Sequence, residues 1–308
     1  MGAGLGRTRY HGSSMGGPGH LPVMSVVIPT VGRADQLANT LSALRDLHPA
    51  TPPWEVIVVL DGPDPATSEV LHQAHSLPLT TVEQSPRGIG PAKNRGGEEA
   101  RGNLILFLND DTRPHPECLL IHHRAQQNLG PCLTLGRVEW EPNQDITPYM
   151  AWLAPAGHQF NYARLCPEHP ASWDACWGPN LALPRAWLLD EPLDPQHPFP
   201  ALEDTEWGFR QARRGRTIRY VPEAVAFHDH HYSGPKDFRR RALLTGRAGR
   251  HVARRHPELR RTLVWRPAAA ALARLLSMAY PGHWSHRYRW DLDYRLHVLQ
   301  GLLTKGRR

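Results

Sequence analysis

Two adjacent carboxylates at the end of an apolar run are the first residues in this sequence that could do chemistry. In "LILFLNDDTRP" the apolar residues 104–108 lead directly into Asn109, Asp110 and Asp111. The run predicts a buried strand, so both charges lie at the edge of a core, where desolvation is costly unless a cation compensates. Such a pair suits Mg²⁺ or Mn²⁺, which take one or two protein oxygens and complete their coordination with water and phosphate. A solvated turn or a helix cap is the alternative interpretation.

Two more segments carry groups that suit a nucleotide. Asp61 ends "WEVIVVLD" and is either part of an Asp-Gly turn or an acceptor for the N–H groups of a nucleobase. The segment "GIGPAKNRGGEEARG" combines glycines with Lys93 and Arg95. Helix N–H groups and a lysine can hold phosphate, although an ordinary helix explains the same residues.

A third group of candidates lies near residues 200–232. Glu203 and Asp204 open the predicted helix of "LEDTEWGFR", where they are either plain caps or a general base for an acceptor hydroxyl. The segment "FHDHHY" clusters His228, His230 and His231. Without cysteines nearby a zinc site is disfavoured, and a single histidine that completes a divalent-metal site is the better interpretation.

The elements that must position these residues alternate between short apolar strands and helices. Strands are predicted in "SVVIP", "WEVIVVLD", "LPLTTVEQ" and "LILFL", with helices between them, and Asp64 followed by Pro65 is an N-cap signature. This order predicts a largely parallel sheet covered on both faces. Ligands bind such sheets at the carboxyl ends of the strands, which is where Thr30, Asp61, Asp110 and Asp111 fall.

Composition sets the broad class and the domain plan. The chain has 308 residues, a formal charge of +7 and four cysteines, with no CxxC pair, so a reducing cytoplasm is expected. It has no apolar run of the ~20 residues that span a bilayer. Residues 1–23 are rich in glycine, serine and basic residues with almost nothing to bury, and they are expected to be disordered. We predict an α/β domain over 24–232 and a basic helical extension over 233–308.

Five blocks in order resemble the family-2 glycosyltransferases of the GT-A fold. They are "SVVIPTVGR", "EVIVVLDG", "GPAKNRGGEEARGNLILFLNDD", "CWGPNLALPR" and "LEDTEWGFRQARRGRTIRYVPEAVAFH", and the resemblance covers about residues 24–232. It implies a Rossmann-like, mixed but mostly parallel sheet with helices on both faces. It also implies inverting transfer of a sugar from a nucleotide-diphospho-sugar, with a UDP-sugar as the expected donor, Mn²⁺ or Mg²⁺ as cofactor, and a glycan, lipid-linked or small-molecule hydroxyl as acceptor. Cell-surface polysaccharide or glycolipid synthesis is the expected setting.

The resemblance also assigns roles to individual residues. It implies that Asp204, with Glu203, supplies the catalytic base and that Asp111 and His228 bind the metal. Lys93 stands where the family usually has arginine, and Asn109 replaces the first aspartate of the D-x-D element. The residues implied to bind the donor are Pro29, Thr30, Asp61, Lys93, Asp110, Trp177, Gly178 and Asn180.

The sequence leaves open the role of the basic C-terminal extension and several alternative functions of the protein. The basic extension either packs on the catalytic domain with solvated arginines or contacts the inner face of the cell membrane through Trp265, Leu275, Leu276, Tyr280, Trp284, Tyr288 and Trp290. A sugar-1-phosphate nucleotidyltransferase would need a Gly-rich basic loop after the first strand, which "IPTVGRADQL" lacks. The remaining candidates are a nucleic-acid-binding protein that uses the arginine-rich C-terminus and a degenerate, non-catalytic nucleotide-sugar binder. No nucleic-acid partner is expected.

Overall fold

A computed structural model describes residues 7–9, 21–278 and 285–304 of the chain. The chain divides into two compact units. The first comprises Met1–Gln144, Tyr162–His197 and Trp207–His230, and the second comprises Asp145–Asn161, Pro198–Glu206 and His231–Arg308. Two segments that precede residue 232 thus group with the C-terminal helices. The predicted division at 232/233 stays a prediction.

The strands of the sheet all belong to the first unit. They are β1 (Arg7–Arg9), β2 (Met24–Thr30), β3 (Trp54–Asp61), β4 (Leu79–Gln84), β5 (Leu104–Leu108), β6 (Thr112–Pro114), β7 (Leu133–Trp140), β8 (Pro170–Ala171), β9 (Asn180–Pro184) and β10 (Ile218–His228).

The α-helices follow the alternation that the sequence predicts. They are α1 (Ala34–Ala43), α2 (Pro65–Gln73), α3 (Ile89–Glu99), α4 (Cys118–Leu129), α5 (Pro148–Leu153), α6 (Arg185–Asp190), α7 (Glu203–Arg213), α8 (Pro235–Arg255), α9 (Arg266–Ser277) and α10 (His286–Leu303). Asp64 caps α2 as predicted, because its carboxylate accepts a hydrogen bond from the Thr67 backbone N–H at 3.2 Å.

The sheet has the order β1-β4-β3-β2-β5-β9-β7-β10-β6, with β8 beside β10. Strands β4, β3, β2 and β5 run parallel to one another, β9 runs antiparallel between β5 and β7, and β7 pairs with β10 in parallel. The sheet is therefore mixed but mostly parallel, as expected. Strand β10 is irregular, because its register with β7 shifts between Val221 and Val225.

Helices cover both faces of the parallel strands. One face carries the alternate residues Val26, Val58 and Leu106, which pack with Leu37 and Leu41 of α1 in a fully buried cluster. The other face receives α3, and a Cβ at its Gly96 would lie 2.3 Å from Val27 of β2. Glycine thus lets the helix lie directly on the strand, which brings the start of α3 to the carboxyl edge of the sheet.

Part of the predicted disordered leader forms structure. Residues 7–9 pair antiparallel with β4, from Arg7 opposite Val82 to Arg9 opposite Thr80. The free edge of β4 offers unpaired backbone groups, and such an edge attracts any extended segment that can reach it. Residues 1–6 and 10–20 lie outside the described residues.

The second unit is built on close packing of α8 and α10. A Cβ at Gly246 of α8 would lie 2.1 Å from the Val298 carbonyl oxygen, and one at Gly301 of α10 would lie 2.2 Å from the Leu243 carbonyl oxygen. The two glycines face each other, with Cα atoms close enough that neither tolerates a side chain. The helices therefore cross at a point that only glycine permits, and Ala242, Val298 and Leu302 fill the space beside it.

A buried carboxylate organises the charged side of this unit. Asp291 of α10 is 7% exposed and accepts hydrogen bonds from His158 Nε2 at 2.8 Å, Arg274 Nε at 2.5 Å and Arg295 Nε at 2.8 Å. Burial by itself would raise the pKa of Asp291, but the hydrogen bonds from His158, Arg295 and Arg274 hold that pKa well below its usual range.

We predict that Asp291→Asn lowers the free energy of unfolding at pH 7 by about 2 kcal/mol, because three donors lose their charged partner. The folded-state pKa of Asp291 is depressed, so its contribution is present above the unfolded-state value near ~3.9 and is lost as the pH falls below it. Urea unfolding at pH 7 and pH 3 tests this, with the exposed Asp145→Asn as control. An Asp291→Asn protein as stable as the wild type at pH 7 would contradict the prediction.

The exterior of α9 and of the residue before it is apolar in part. Trp265, Leu272 and Leu276 are 62%, 56% and 66% exposed, whereas Tyr288 is buried and Trp290 packs against Tyr149 and Trp152. Tyr280 and Trp284 lie outside the described residues. No helix among the described residues is long and apolar enough to cross a membrane.

Candidate functional site

The carboxyl edge of the sheet in the first unit gathers most of the predicted site. Thr30 ends β2, Asp61 ends β3, Asp110 and Asp111 follow β5, and His228 ends β10. Because β3, β2 and β5 are parallel neighbours, their carboxyl ends lie side by side. The order of strands alone therefore places the predicted metal and nucleotide residues on one edge.

The two adjacent carboxylates are held by contacts from β2 and the loop after it. Thr30 Oγ1 donates to Asp110 Oδ2 at 2.9 Å, and Arg33 Nη1 donates to Asp110 Oδ1 at 3.1 Å and to Asp111 Oδ2 at 2.5 Å. Thr40 Oγ1 donates to the Asp110 backbone carbonyl at 2.8 Å. Arg33 is thus the cation that faces both carboxylates in this structure.

Histidines from the end of β10 complete the cluster. His228 Nε2 lies 3.5 Å from Asp111 Oδ2, and both side chains are nearly buried. His230 stacks on His228 with ring centroids 5.5 Å apart. The Asp229 backbone N–H donates to the Asp111 carbonyl at 2.8 Å, so the loop after β10 is tied directly to the loop after β5.

The two carboxylates differ in their proton affinity. Burial raises the pKa of Asp110 to about 6, and repulsion from Asp111 acts in the same direction against the attraction of Arg33. Burial also opposes ionisation of Asp111, but His228 and Arg33 outweigh it and hold the pKa of Asp111 well below its usual range. Asp111 is therefore held firmly in its ionised form, which suits a metal ligand.

The donor set fits a hard divalent cation. Asp110 and Asp111 offer carboxylate oxygens and His228 offers an imidazole nitrogen. The Oδ1 of Asn109, the residue before them, is buried with no hydrogen-bond partner among the described residues. Mn²⁺ and Mg²⁺ prefer oxygen ligands, and a buried amide oxygen without a partner is costly unless a donor or a cation satisfies it. Asn109, which departs from the D-x-D pattern, still presents an oxygen at its position.

We predict that Arg33→Gln lowers the thermal midpoint of the metal-free protein, by the equivalent of about 1 kcal/mol, because the carboxylate pair loses its facing cation. The estimate is modest since the Arg33 side chain is 44% exposed. Mn²⁺ should bind this variant at least as tightly as the wild type, since Arg33 and a metal compete for the same oxygens. Melting curves with chelator and with Mn²⁺ test both points. The exposed Arg124→Gln is the control, and loss of Mn²⁺ binding in Arg33→Gln would refute the competition.

Asp61 anchors the loop between β4 and α3. Its Oδ1 accepts from Gln84 Nε2 and from the Arg87 backbone N–H, and its Oδ2 accepts from the Gly88 backbone N–H, all at 2.8 Å. Both carboxylate oxygens therefore shape the loop that leads into α3. Contact of Asp61 with a nucleobase stays a prediction.

The side chain of Lys93 points into the interior. It is 1% exposed, and its Nζ lies 5.5 Å from the ring centroid of Phe107 in β5, a cation–π distance. Lys93 therefore sits between α3 and the sheet. Its predicted role near the base and phosphates stays a prediction.

Asn180 is fully buried at the start of β9 and joins three elements. Its Nδ2 donates to the Ala224 and Arg137 carbonyls at 2.8 and 3.2 Å, and its Oδ1 accepts from His122 Nε2 at 3.0 Å. Burial lowers the pKa of His122 to about 4, against the raising effect of Asn180, so this histidine is neutral. The contacts of Asn180 hold the sheet together, and its predicted contact with the sugar stays a prediction.

Trp177 and Gly178 lie in the segment that leads into β9. Trp177 is half-buried and packs edge-to-face on Tyr162, with ring centroids 5.1 Å apart, and the Arg164 guanidinium lies 5.7 Å from its ring centroid. Gly178 is buried in a turn. Their predicted place in the sugar pocket stays a prediction, as does that of Pro29, which lies inside β2.

The predicted catalytic carboxylates are at the start of α7, in the part of the helix that groups with the second unit. Glu203 is buried, and Asp204 is half-buried with its Oδ1 accepting from the Thr205 backbone N–H at 2.7 Å. Leu202, just before them, has a φ of 61°, which costs a residue with a side chain of this size of order 1–3 kcal/mol. Strain of this kind is frequent at functional sites.

Two residues of the cluster were missed as site residues in the sequence. Arg33 is the last residue of the block "SVVIPTVGR", and its position after a strand that ends at the same edge was an available signal. His230 was seen in the histidine cluster but was not assigned to the site. Nothing in its spacing separates it from His231, so only the stacking on His228 selects it.

A parallel block of strands, an antiparallel strand beside it and a carboxylate pair at the carboxyl edge together define the GT-A fold. The comparisons agree. A mannosyltransferase from Pyrobaculum calidifontis, solved in complex with GDP-Man and Mn²⁺, matches with a TM-score of 0.67 at 17% identity, over 94% of this chain and 89% of that chain. TarS of S. aureus, solved in complex with UDP-GlcNAc, matches with a TM-score of 0.50 at 17% identity, over 73% and 66% of the two chains.

Sequence similarity identifies the family. The family model described as "Glycosyl transferase family 2" matches residues 25–179, about half of the chain. Glycosyltransferase AglE of Haloferax volcanii is 29% identical over 123 residues, which are 39% of this chain and 40% of that protein. The match thus spans less than half the length of that relative. The chain belongs to glycosyl transferase family 2.

Proposed function

We propose that this protein is an inverting glycosyltransferase that moves a sugar from a nucleotide-diphospho-sugar to an acceptor hydroxyl. The observation that carries the proposal is the cluster of Asp110, Asp111 and His228 at the carboxyl edge of the sheet, beside Thr30 and Asp61. Membership of family 2 and fold relatives solved with GDP-Man and UDP-GlcNAc support it. A UDP-sugar is the proposed donor.

The residues of the first unit would bind and orient the donor. Thr30 fixes Asp110 by a hydrogen bond, and Asp61 shapes the loop before α3, where the base would be recognised. A bound Mn²⁺ or Mg²⁺ would be held by Asp111 and His228 and would supply Lewis-acid stabilisation of the departing diphosphate. Because Asp111 and His228 are nearly buried, little water reaches them, and their attraction for a cation is stronger than it would be at an open surface.

Asp204 is the proposed catalytic base, with Glu203 beside it. Its carboxylate takes the proton of the acceptor hydroxyl while that oxygen attacks the anomeric carbon on the face opposite the diphosphate. The new bond to the acceptor oxygen forms as the bond to the diphosphate oxygen breaks, so the anomeric configuration inverts. Thr205 orients the carboxylate through its hydrogen bonds to Asp204 Oδ1.

A thermal-shift panel tests the proposal. Purified protein would be melted with UDP, GDP, dTDP and their common sugars, each with Mn²⁺ and with chelator. A ligand at 100 times its dissociation constant adds ~2.7 kcal/mol of stability, and we expect a metal-dependent shift with one base only. No shift with any nucleotide would reject the donor and metal assignments together. Binding without transfer to any acceptor would favour a non-catalytic nucleotide-sugar binder.

We further propose that the acceptor hydroxyl belongs to a glycan, a lipid-linked molecule or a small molecule.

We also propose that the protein acts in the cytoplasm at the inner face of the cell membrane. The support is the exposed Trp265 just before α9 and the exposed Leu276 of α9, with the exposed arginines Arg260 and Arg261 shortly before Trp265 in the chain. Sedimentation with anionic vesicles tests it, and a Trp265→Ala protein that sediments as strongly as the wild type would argue against this surface.

A further inference from the structure

The second unit contains a cavity of about 540 Å³ with a cationic wall. It lies among the segment 152–161, the end of α9 and the first half of α10. Its lining includes Arg274, Arg287, Arg295 and His158, with Asp291 as the one carboxylate. The volume falls within the range of roughly 300–1,000 Å³ that is usual for small-molecule sites.

The arginines of this wall are not neutralised by Asp291. Three arginines against one carboxylate leave a surplus of two positive charges. In the described part of the chain, Arg274 and Arg295 reach Asp291 through Nε, so the terminal nitrogens of both forks remain available for another acceptor. Positive charge in a partly enclosed space attracts an anion more strongly than the same charge on an open surface.

The key donors are held in place by the protein itself. The Arg274 guanidinium lies 4.8 Å from the ring centroid of Tyr288, and the Tyr288 hydroxyl donates to the carbonyl of Arg274. Asp291 fixes the same arginine from the other side at 2.5 Å. A fork that is already oriented loses little entropy when it binds, which favours a specific anion site over a diffuse basic patch.

The start of α10 adds to the positive potential. Ser285 caps this helix, with its Oγ accepting from the Tyr288 backbone N–H at 3.3 Å, and both residues line the cavity. The N-terminus of a long helix carries a partial positive charge. Arg287 lies in the first turn of α10 and is exposed. The cavity thus has two oriented forks inside and one exposed arginine at its rim.

We propose that this cavity binds the phosphate group of a small phosphorylated molecule, with Arg274 and Arg295 as the fixed forks and Arg287 closing on it from the rim. The planar arginine fork matches the oxygens of a phosphate. The cavity is larger than one phosphate requires, so it has room for the rest of the ligand, such as a sugar ring. The site requires neither the metal nor the nucleotide donor, so it stands apart from the proposed function.

Calorimetry on the full chain in metal-free buffer tests the site with inorganic phosphate and with a hexose 1-phosphate as probes. We expect Arg287→Gln to weaken the affinity for both probes by ~10-fold, the effect of one lost charge-assisted hydrogen bond. Arg274→Lys, which keeps a positive charge near Asp291 but loses the fork, should weaken it by a similar factor. Arg240→Gln, an exposed arginine of α8 outside the cavity, is the matched control and should change the affinity less than twofold.

A second probe distinguishes a lipid headgroup from a free phosphorylated metabolite as the source of the phosphate group. Vesicles of phosphatidylcholine with and without phosphatidate would be sedimented with the same variants. Binding that depends on phosphatidate and on Arg287 identifies a lipid headgroup, and binding of the soluble probes alone identifies a free phosphorylated metabolite. The proposal would be overturned if neither soluble probe gave heat and any phosphatidate-dependent sedimentation were unaffected by Arg287→Gln. An Arg240→Gln protein as impaired as Arg287→Gln would also overturn it, since general surface charge would then explain the binding.

Discussion

Asp111→Asn is expected to lower sugar transfer by ~1,000-fold and to abolish metal-dependent donor binding. His228 and Arg33 hold Asp111 in its ionised form, and the neutral amide offers a divalent cation a much weaker ligand. A Lewis acid contributes several kcal/mol to stabilisation of the departing charge, and about 4 kcal/mol corresponds to ~1,000-fold in rate. Calorimetric titration with Mn²⁺, and then with donor, measures the loss directly.

The substitution is designed to keep the fold. Asparagine has the shape of aspartate and can still accept a hydrogen bond from Arg33, which lies at 2.5 Å from Asp111 Oδ2. Asp46→Asn is the matched control. Asp46 is an exposed carboxylate that lies shortly after the end of α1, whereas Arg33 lies just before its start. An Asp111→Asn protein that binds Mn²⁺ and donor as the wild type does would remove Asp111 from the metal site.

Asp204→Asn is expected to lower transfer by at least ~100-fold and to leave donor binding nearly intact. The amide cannot take the acceptor proton, and loss of a general base usually costs a factor of 10²–10⁴, about 100 at the low end. Donor binding should survive because the predicted donor contacts lie at the carboxyl edge of the first unit. Thermal shifts with donor and Mn²⁺, followed by transfer assays with saturating donor, separate binding from chemistry.

Glu203→Gln is the comparison that tests which of the two carboxylates acts. Glu203 is buried at the same helix start, whereas Asp204 is half-buried with its carboxylate oriented by Thr205. We expect a smaller loss of transfer from Glu203→Gln than from Asp204→Asn. Full activity in Asp204→Asn would take Asp204 out of the mechanism, and a larger loss in Glu203→Gln would move the role of base to Glu203.

Several features of this protein follow from local sequence because their causes are local. Period-two and buried apolar runs predict the strands "WEVIVVLD" and "LILFL" with the bounds that the structure has. The Asp64-Pro65 pair predicts the start of α2, because capping involves only the next three residues. The placement of Asp61, Asp110 and Asp111 on one edge follows as well, since alternation of strands and helices implies parallel strands with a shared carboxyl edge.

Other features depend on contacts between distant segments, which local sequence does not fix. Arg33 reaches Asp111 across 78 residues. Its position after β2 places it near the carboxyl edge, but does not determine which side chains it contacts. The division of the chain into units also places segments 145–161 and 198–206 with the C-terminal helices, against the simple order of the sequence.

The candidate site contains both kinds of feature, those that local sequence predicts and those that depend on contacts between distant segments. The carboxylate pair at the end of a buried strand, and the resemblance to family 2, can be predicted from the sequence because strand periodicity and motif order depend on neighbouring residues. That Arg33 and the stacked His228 and His230 face this pair, and that Asn180 is enclosed by His122, Arg137 and Ala224, becomes visible in the folded chain alone. Side-chain direction and burial are set by packing between elements far apart in the chain, and packing is a property of the folded molecule.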